Sequence, residues 1–72
     1  MATFGERLKL LRKSKKLTQK QMSEFINSTE KCYQNYEINR STPHFVTLIF
    51  FADYFDVSLD YLVGRSDIKE RR

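Results

Sequence analysis

Apolar residues return every three or four positions along most of this chain, broken by short polar runs, and that rhythm predicts helices rather than strands. In the first stretch Phe4, Leu8 and Leu11 form one stripe, and Thr3 with Glu6 supplies a Thr-x-x-Glu start signal, so a helix runs from Phe4 to about Lys13. The second opens at Thr18, where Gln21 can close the same kind of capping box, and Met22, Phe25 and Ile26 give it one apolar face. Asn27 tolerates positive φ and turns the chain, and Thr29 then caps a third helix from Glu30 to about Glu37. Pro43 suits a helix start but not its interior, so the fourth helix spans about His44 to Phe55. Ser58 caps a last short helix, Leu59 to Val63, with Leu59 and Leu62 facing the core and Gly64 ending it.

The third helix is unusual for a globular element, because its large apolar candidates are only Tyr33 and Tyr36, three apart on one side. Its other side carries Glu30, Lys31, Gln34 and Asn35. These side chains match base edges: Lys donates to guanine, Gln or Asn pairs with adenine, and Glu accepts from cytosine N4. The same residues also fit a plain solvated face. On the fourth helix, Val46, Phe50 and Tyr54 lie four apart on a second apolar stripe, and a helix apolar on more than one side calls for another surface to cover it. That cover is either a second molecule or the C-terminal segment.

Composition narrows the classes. With 72 residues, 40% of them hydrophobic and 14% aromatic, the chain is one small domain with enough apolar bulk for a single core. A net charge of +4 favours polyanions over acidic partners without singling out nucleic acid. One cysteine and one histidine exclude an internal disulfide and a zinc site of the usual kind, so no metal or cofactor is expected. Asp53, Asp56 and Asp60 are the one acidic cluster, and they lack a nucleophile, so an enzyme is not expected. The N-terminus alternates charged and apolar residues where a signal peptide would be continuously apolar, and no run is long enough to span a bilayer. A cytoplasmic protein without membrane contact is the expectation. The basic residues Arg7, Lys9, Arg12, Lys13, Lys15 and Lys16 fit either a solvated face that complements the helix dipole or a rim facing phosphates.

The order of landmarks carries a resemblance. Arg12, Leu17-Thr18-Gln19, a turn at Asn27, Thr29, Tyr36-Glu37, Pro43, Leu48, Ala52 and the run Val57-Ser58-Leu59-Asp60-Tyr61-Leu62 resemble the phage Cro/repressor (XRE-type) helix-turn-helix family over about residues 4–66. The resemblance implies an all-α, compact five-helix, lambda-repressor-like DNA-binding domain over residues 1–66, with the helix-turn-helix at helices 2 and 3. Residues 67–72 are left as a charged tail, and the stretch from Arg65 to Arg72 is expected to fray. The family's turn glycine and valine are replaced by Asn27 and Ser28, and Tyr33 stands where relatives carry a smaller aliphatic residue. The larger Tyr33 is expected to fill the volume that Ser28 leaves.

Carried over position by position, the resemblance assigns base contacts to Thr29, Glu30, Lys31, Gln34 and Asn35, with Gln34 near a phosphate or a base edge. It assigns phosphate contacts to Gln19, Asn39, Arg40 and Ser41, and a structural ion pair to Arg12 and Glu37, with Arg12 keeping a spare N–H for phosphate. Phe45, Leu48, Phe51, Ala52 and Phe55 take the core face of helix 4. A dimer or partner surface is expected at Val46, Phe50, Tyr54, Leu59 and Tyr61. The implied function is a sequence-specific transcriptional regulator, a repressor acting as a homodimer on a palindromic stretch of double-stranded DNA. An antitoxin-like module that holds a protein partner through the apolar stripe, with DNA binding secondary, is the alternative.

Overall fold

The computed structural model describes residues 2–70 and contains α1 (Phe4–Ser14), α2 (Gln19–Phe25), α3 (Glu30–Glu37), α4 (Phe45–Phe55) and α5 (Leu59–Leu62). Local chemistry sets most of the boundaries. Thr3 and Thr18 each close a full capping box, accepting from the backbone N–H of Glu6 and Gln21 while those side chains accept from the cap's own N–H. Thr29 accepts from the N–H of Cys32, and Ser58 from that of Tyr61. His44 caps α4 without a side-chain bond, which places that helix start one residue later than Pro43 alone suggested. Asn27 takes φ +52° in the α2–α3 turn, the conformation its glycine-like role requires.

One core joins all the helices: Leu8 and Leu11 from α1, Met22 from α2, Tyr33 from α3, Phe51, Ala52 and Phe55 from α4, then Val57, Tyr61 and Leu62. Tyr33 is fully buried in this core, and Ser28 is half-buried at the α2–α3 turn. No helix is long and apolar enough to cross a membrane among the described residues.

Several expectations change. Phe25 is 42% exposed and leans on Tyr54, ring centroids 5.2 Å apart, so α2 buries Met22 and Ser23 instead of a Phe25 face. Phe45 is 68% exposed, because the first turn of α4 projects beyond the core that Phe51 and Phe55 reach. Leu59, expected inside, is largely exposed, while Tyr61 is only 5% exposed. Helix α5 packs against both α1 and α4 and therefore has two inner sides. Leu62 takes one, and Tyr61 takes the other, with the Arg7 guanidinium 3.9 Å above its ring. Tyr61 is thus removed from the expected dimer surface.

Arg7 is buried rather than part of a basic rim. Its Nη1 donates to the carbonyls of Tyr61 and Ser66, and its Nη2 pairs with Asp67 at 2.7 Å. The Ser58 N–H and hydroxyl donate to the carbonyls of Lys69 and Ile68. These bonds fasten the chain through Lys69, where fraying from Arg65 was expected; Arg71 and Arg72 lie outside the described residues.

Candidate nucleic-acid interface

The seat of α3 is built around Glu37, at its C-terminal end. Arg12 Nε donates to Glu37 Oε2 at 2.6 Å and Nη2 to Oε1 at 3.2 Å, a two-pronged pair between side chains only 11% and 3% exposed. Tyr33 Oη donates to Oε2 at 2.6 Å and Gln19 Nε2 to Oε1 at 3.0 Å. One carboxylate therefore ties α1, α2 and α3 together. Burial pushes the Glu37 carboxyl up, but the bonds from Arg12, Tyr33 and Gln19 outweigh it and hold the group below the ordinary 4.5. Burial, reinforced by the bond to Glu37, pushes the Tyr33 phenol well up, so it stays a donor. Arg12 Nη1 donates to the Leu17 carbonyl at 2.9 Å, tying the guanidinium to the α1–α2 turn as well.

Backbone contact completes the seat. Gly5 of α1 sits so close to α3 that a Cβ there would lie 2.3 Å from the Glu37 carbonyl oxygen and 2.8 Å from that of Tyr36. Asn39, at φ +61°, accepts from the Gly5 N–H through Oδ1 at 3.0 Å and donates to Thr3 Oγ1 through Nδ2 at 2.9 Å. Both ends of its amide are used inside the protein. Asn39 is therefore a clasp between the loop after α3 and the start of α1, a role the sequence reading did not assign it. Its positive φ right after a helix was the sequence signal that could have shown this, since asparagine is the usual non-glycine choice there.

With Tyr33 and Glu37 turned inward, the rest of α3 faces out. Thr29, Glu30 and Lys31 are exposed along its first turn, and Gln34 and Asn35 are half-exposed one turn later. Lys31, Gln34 and Asn35 line a shallow cleft of about 240 Å³ whose other walls are Lys9, Gln19, Glu37 and Ile38. Lys9 lies three residues before Arg12 on α1, a helical spacing that puts it on the side facing α3. The sequence reading had left it in an undivided basic run. Gln19 is half-exposed at the edge of the cleft, one amide hydrogen held by Glu37. Arg40 and Ser41 are exposed beyond the end of α3, where their backbone N–H groups both donate to the Asn35 carbonyl. Cys32 Sγ and Tyr36 Oη lie 3.5 Å apart, and this contact, with burial, pushes the Tyr36 phenol up to about 12.

A separate face is apolar. Val46 is 70% exposed, and Phe45, Ile49, Phe50, Tyr54 and Leu59 are exposed with it. Phe50 and Tyr54 stack at 6.0 Å. The face runs into a cleft of about 520 Å³ between α4, α5 and the returning C-terminal segment, where Ile49, Val57, Leu59 and Ile68 form the floor.

Comparison with known proteins fits this geometry. A helix-turn-helix domain model matches residues 5–68. The chain is 45% identical over 67 residues to the uncharacterized HTH-type transcriptional regulator YqaE of Bacillus subtilis, covering 92% of this chain and 58% of that protein. It is 32% identical over 69 residues to the HTH-type transcriptional regulator ImmR of the same organism, covering 96% of this chain and 54% of that one. It is 34% identical over 71 residues to the immunity repressor protein of Bacillus phage phi105, covering 97% and 49%. The chain spans about half the length of these relatives. A domain match over nearly all its residues, on a fold whose third helix is seated by a buried ion pair, makes this chain a member of the XRE-type helix-turn-helix family.

Proposed function

We propose that the chain is a sequence-specific DNA-binding transcriptional regulator of the cytoplasm that lays the outer side of α3 in the major groove. The observation that carries this reading is the division of α3 into two sides. Tyr33 and Glu37 are locked inward, and Thr29, Glu30, Lys31, Gln34 and Asn35 form a continuous polar surface that makes no contribution to the core. Helix-turn-helix proteins place such a surface on base edges, while flanking cations and amides hold the phosphates. Here Lys9, Gln19, Arg40 and Ser41 take the phosphates. Repression is the mode that the phage immunity repressor's name suggests, and occlusion of a promoter would achieve it.

The active form is a homodimer joined through the exposed α4 face of Val46, Phe50 and Tyr54, with Leu59 at its edge. Two copies related by a two-fold axis would set their α3 helices about 34 Å apart and read a palindrome. Selection from a randomised duplex pool, followed by a salt titration, tests the reading. Recovery of a palindrome with half-sites one helical turn apart supports it. Binding that is steeply salt-dependent but without sequence preference would point to the second reading, a module that holds a protein partner on the same apolar face. Sedimentation of the chain alone separates the two, since a clean homodimer leaves that face covered.

A further inference from the structure

Within the proposed recognition surface, Asn35 is built differently from its neighbours. Among the described residues its Oδ1 is the buried side-chain polar atom without a hydrogen-bond partner. The amide nitrogen is the end left toward the cleft shared with Lys31, Gln34 and Lys9. An asparagine that reads adenine must present both ends of its amide at once, donating to N7 and accepting from the N6 amine. With Oδ1 turned into the protein, that two-pronged contact has no acceptor half. The other groups on this side of the cleft are also donors: the Lys9 and Lys31 ammonium groups carry N–H and no acceptor. The charged acceptor of the outer side, the Glu30 carboxylate, stands apart at the first position of α3.

We infer that Asn35 is a specificity-determining residue that reads its base by donation alone, to an acceptor such as guanine O6 or N7 or thymine O4, and does not make the two-pronged contact to adenine. The inference rests on the proposed DNA-binding reading and deepens it. Together Asn35 and Lys31 place two donors side by side, complementary to the O6 and N7 edge of guanine, while Glu30 accepts from a cytosine amine.

The test uses the full chain and the operator it selects from a randomised duplex pool. Affinities are then measured on all single-base-pair variants for the wild type, Asn35→Ala and Asn35→Asp. Asp keeps the shape and the acceptor but removes the donor, so it separates the two halves of the amide. The expected result is that both variants lose preference at the same base pair, by roughly 5- to 150-fold against the next-best base, and that the preferred base there is guanine or thymine. Retention of the preference by Asn35→Asp overturns the inference. So does a preferred adenine whose replacement by purine, which lacks the N6 amine, costs the wild type comparable affinity. Loss of preference in neither variant overturns it as well. Circular dichroism of both variants confirms that each is folded before it is scored. Failure of the wild type to select any sequence would instead bring down the DNA-binding reading, and this inference with it.

Discussion

Glu37 accepts from Arg12, Gln19 and Tyr33 in a place where water cannot replace them, so its removal strands a buried guanidinium. Glu37→Ala is expected to cost about 3–5 kcal/mol in urea denaturation, far more than the ~0–1 kcal/mol of an exposed pair. Tyr33→Phe, which removes one bond to a charged acceptor, should cost about 1.5–3 kcal/mol. The pH dependence follows from the depressed carboxyl. A group held below 4.5 in the folded state contributes stability that is fully present above 4.5 and is lost as pH falls through the folded value. Thermal unfolding between pH 7 and pH 2 should therefore show an acid limb that is flattened in Glu37→Gln. The Arg12–Glu37 pair was legible in sequence only through family resemblance. Gln19 and Tyr33 as its further partners were not, since nothing in local spacing tells which residue of a neighbouring helix an amide or phenol will meet.

At the scale of the element, caps were the most legible feature, because a cap is decided by residues within three positions of one another. Thr3, Thr18, Thr29 and Ser58 all cap as their spacing suggests. Faces were less legible. Helix α4 is apolar nearly all round, so periodicity alone could not tell that Phe51 goes in and Phe45 stays out. Tyr61 was misplaced for a related reason: a one-turn helix wedged between two others has no single inner stripe. Gly5 went unnoticed, although it fixes how α1 meets α3. Gly5→Ala would drive a methyl group into the backbone of Tyr36 and Glu37, which cannot swing aside as a side chain does. The expected cost is about 1–3 kcal/mol or more. Because the strain falls on α3, DNA affinity should drop further than stability does, measured as binding at a temperature where the variant is still folded. Equal affinity for wild type and a folded Gly5→Ala would show that the α1–α3 spacing does not govern recognition.

For the whole molecule, the proposed roles separate by salt. Arg40→Ala should weaken binding to all sequences alike and lower the salt slope by about 0.9. Lys31→Ala should instead relax preference at one base pair at a cost of about 1–3 kcal/mol. Equal losses on every sequence for Lys31→Ala would remove it from base reading. Assembly is the third property at this scale. Val46→Asp puts a charge on the exposed α4 face, and the expected outcome is a monomer in sedimentation with an unchanged helical spectrum. Its operator affinity should fall while its affinity for a single half-site does not.

The seat and the outer side of α3 share no side chains. Gly5, Arg12, Gln19, Tyr33, Glu37 and Asn39 fix the angle of the helix, and none of them is Thr29, Glu30, Lys31, Gln34 or Asn35. On the proposed function, operator preference and foldability are then independent traits, each free to drift without dragging the other. Several regulators of this build could share one cell on mutually insulated operators, having diverged by exchanges along the outer side of a single eight-residue helix.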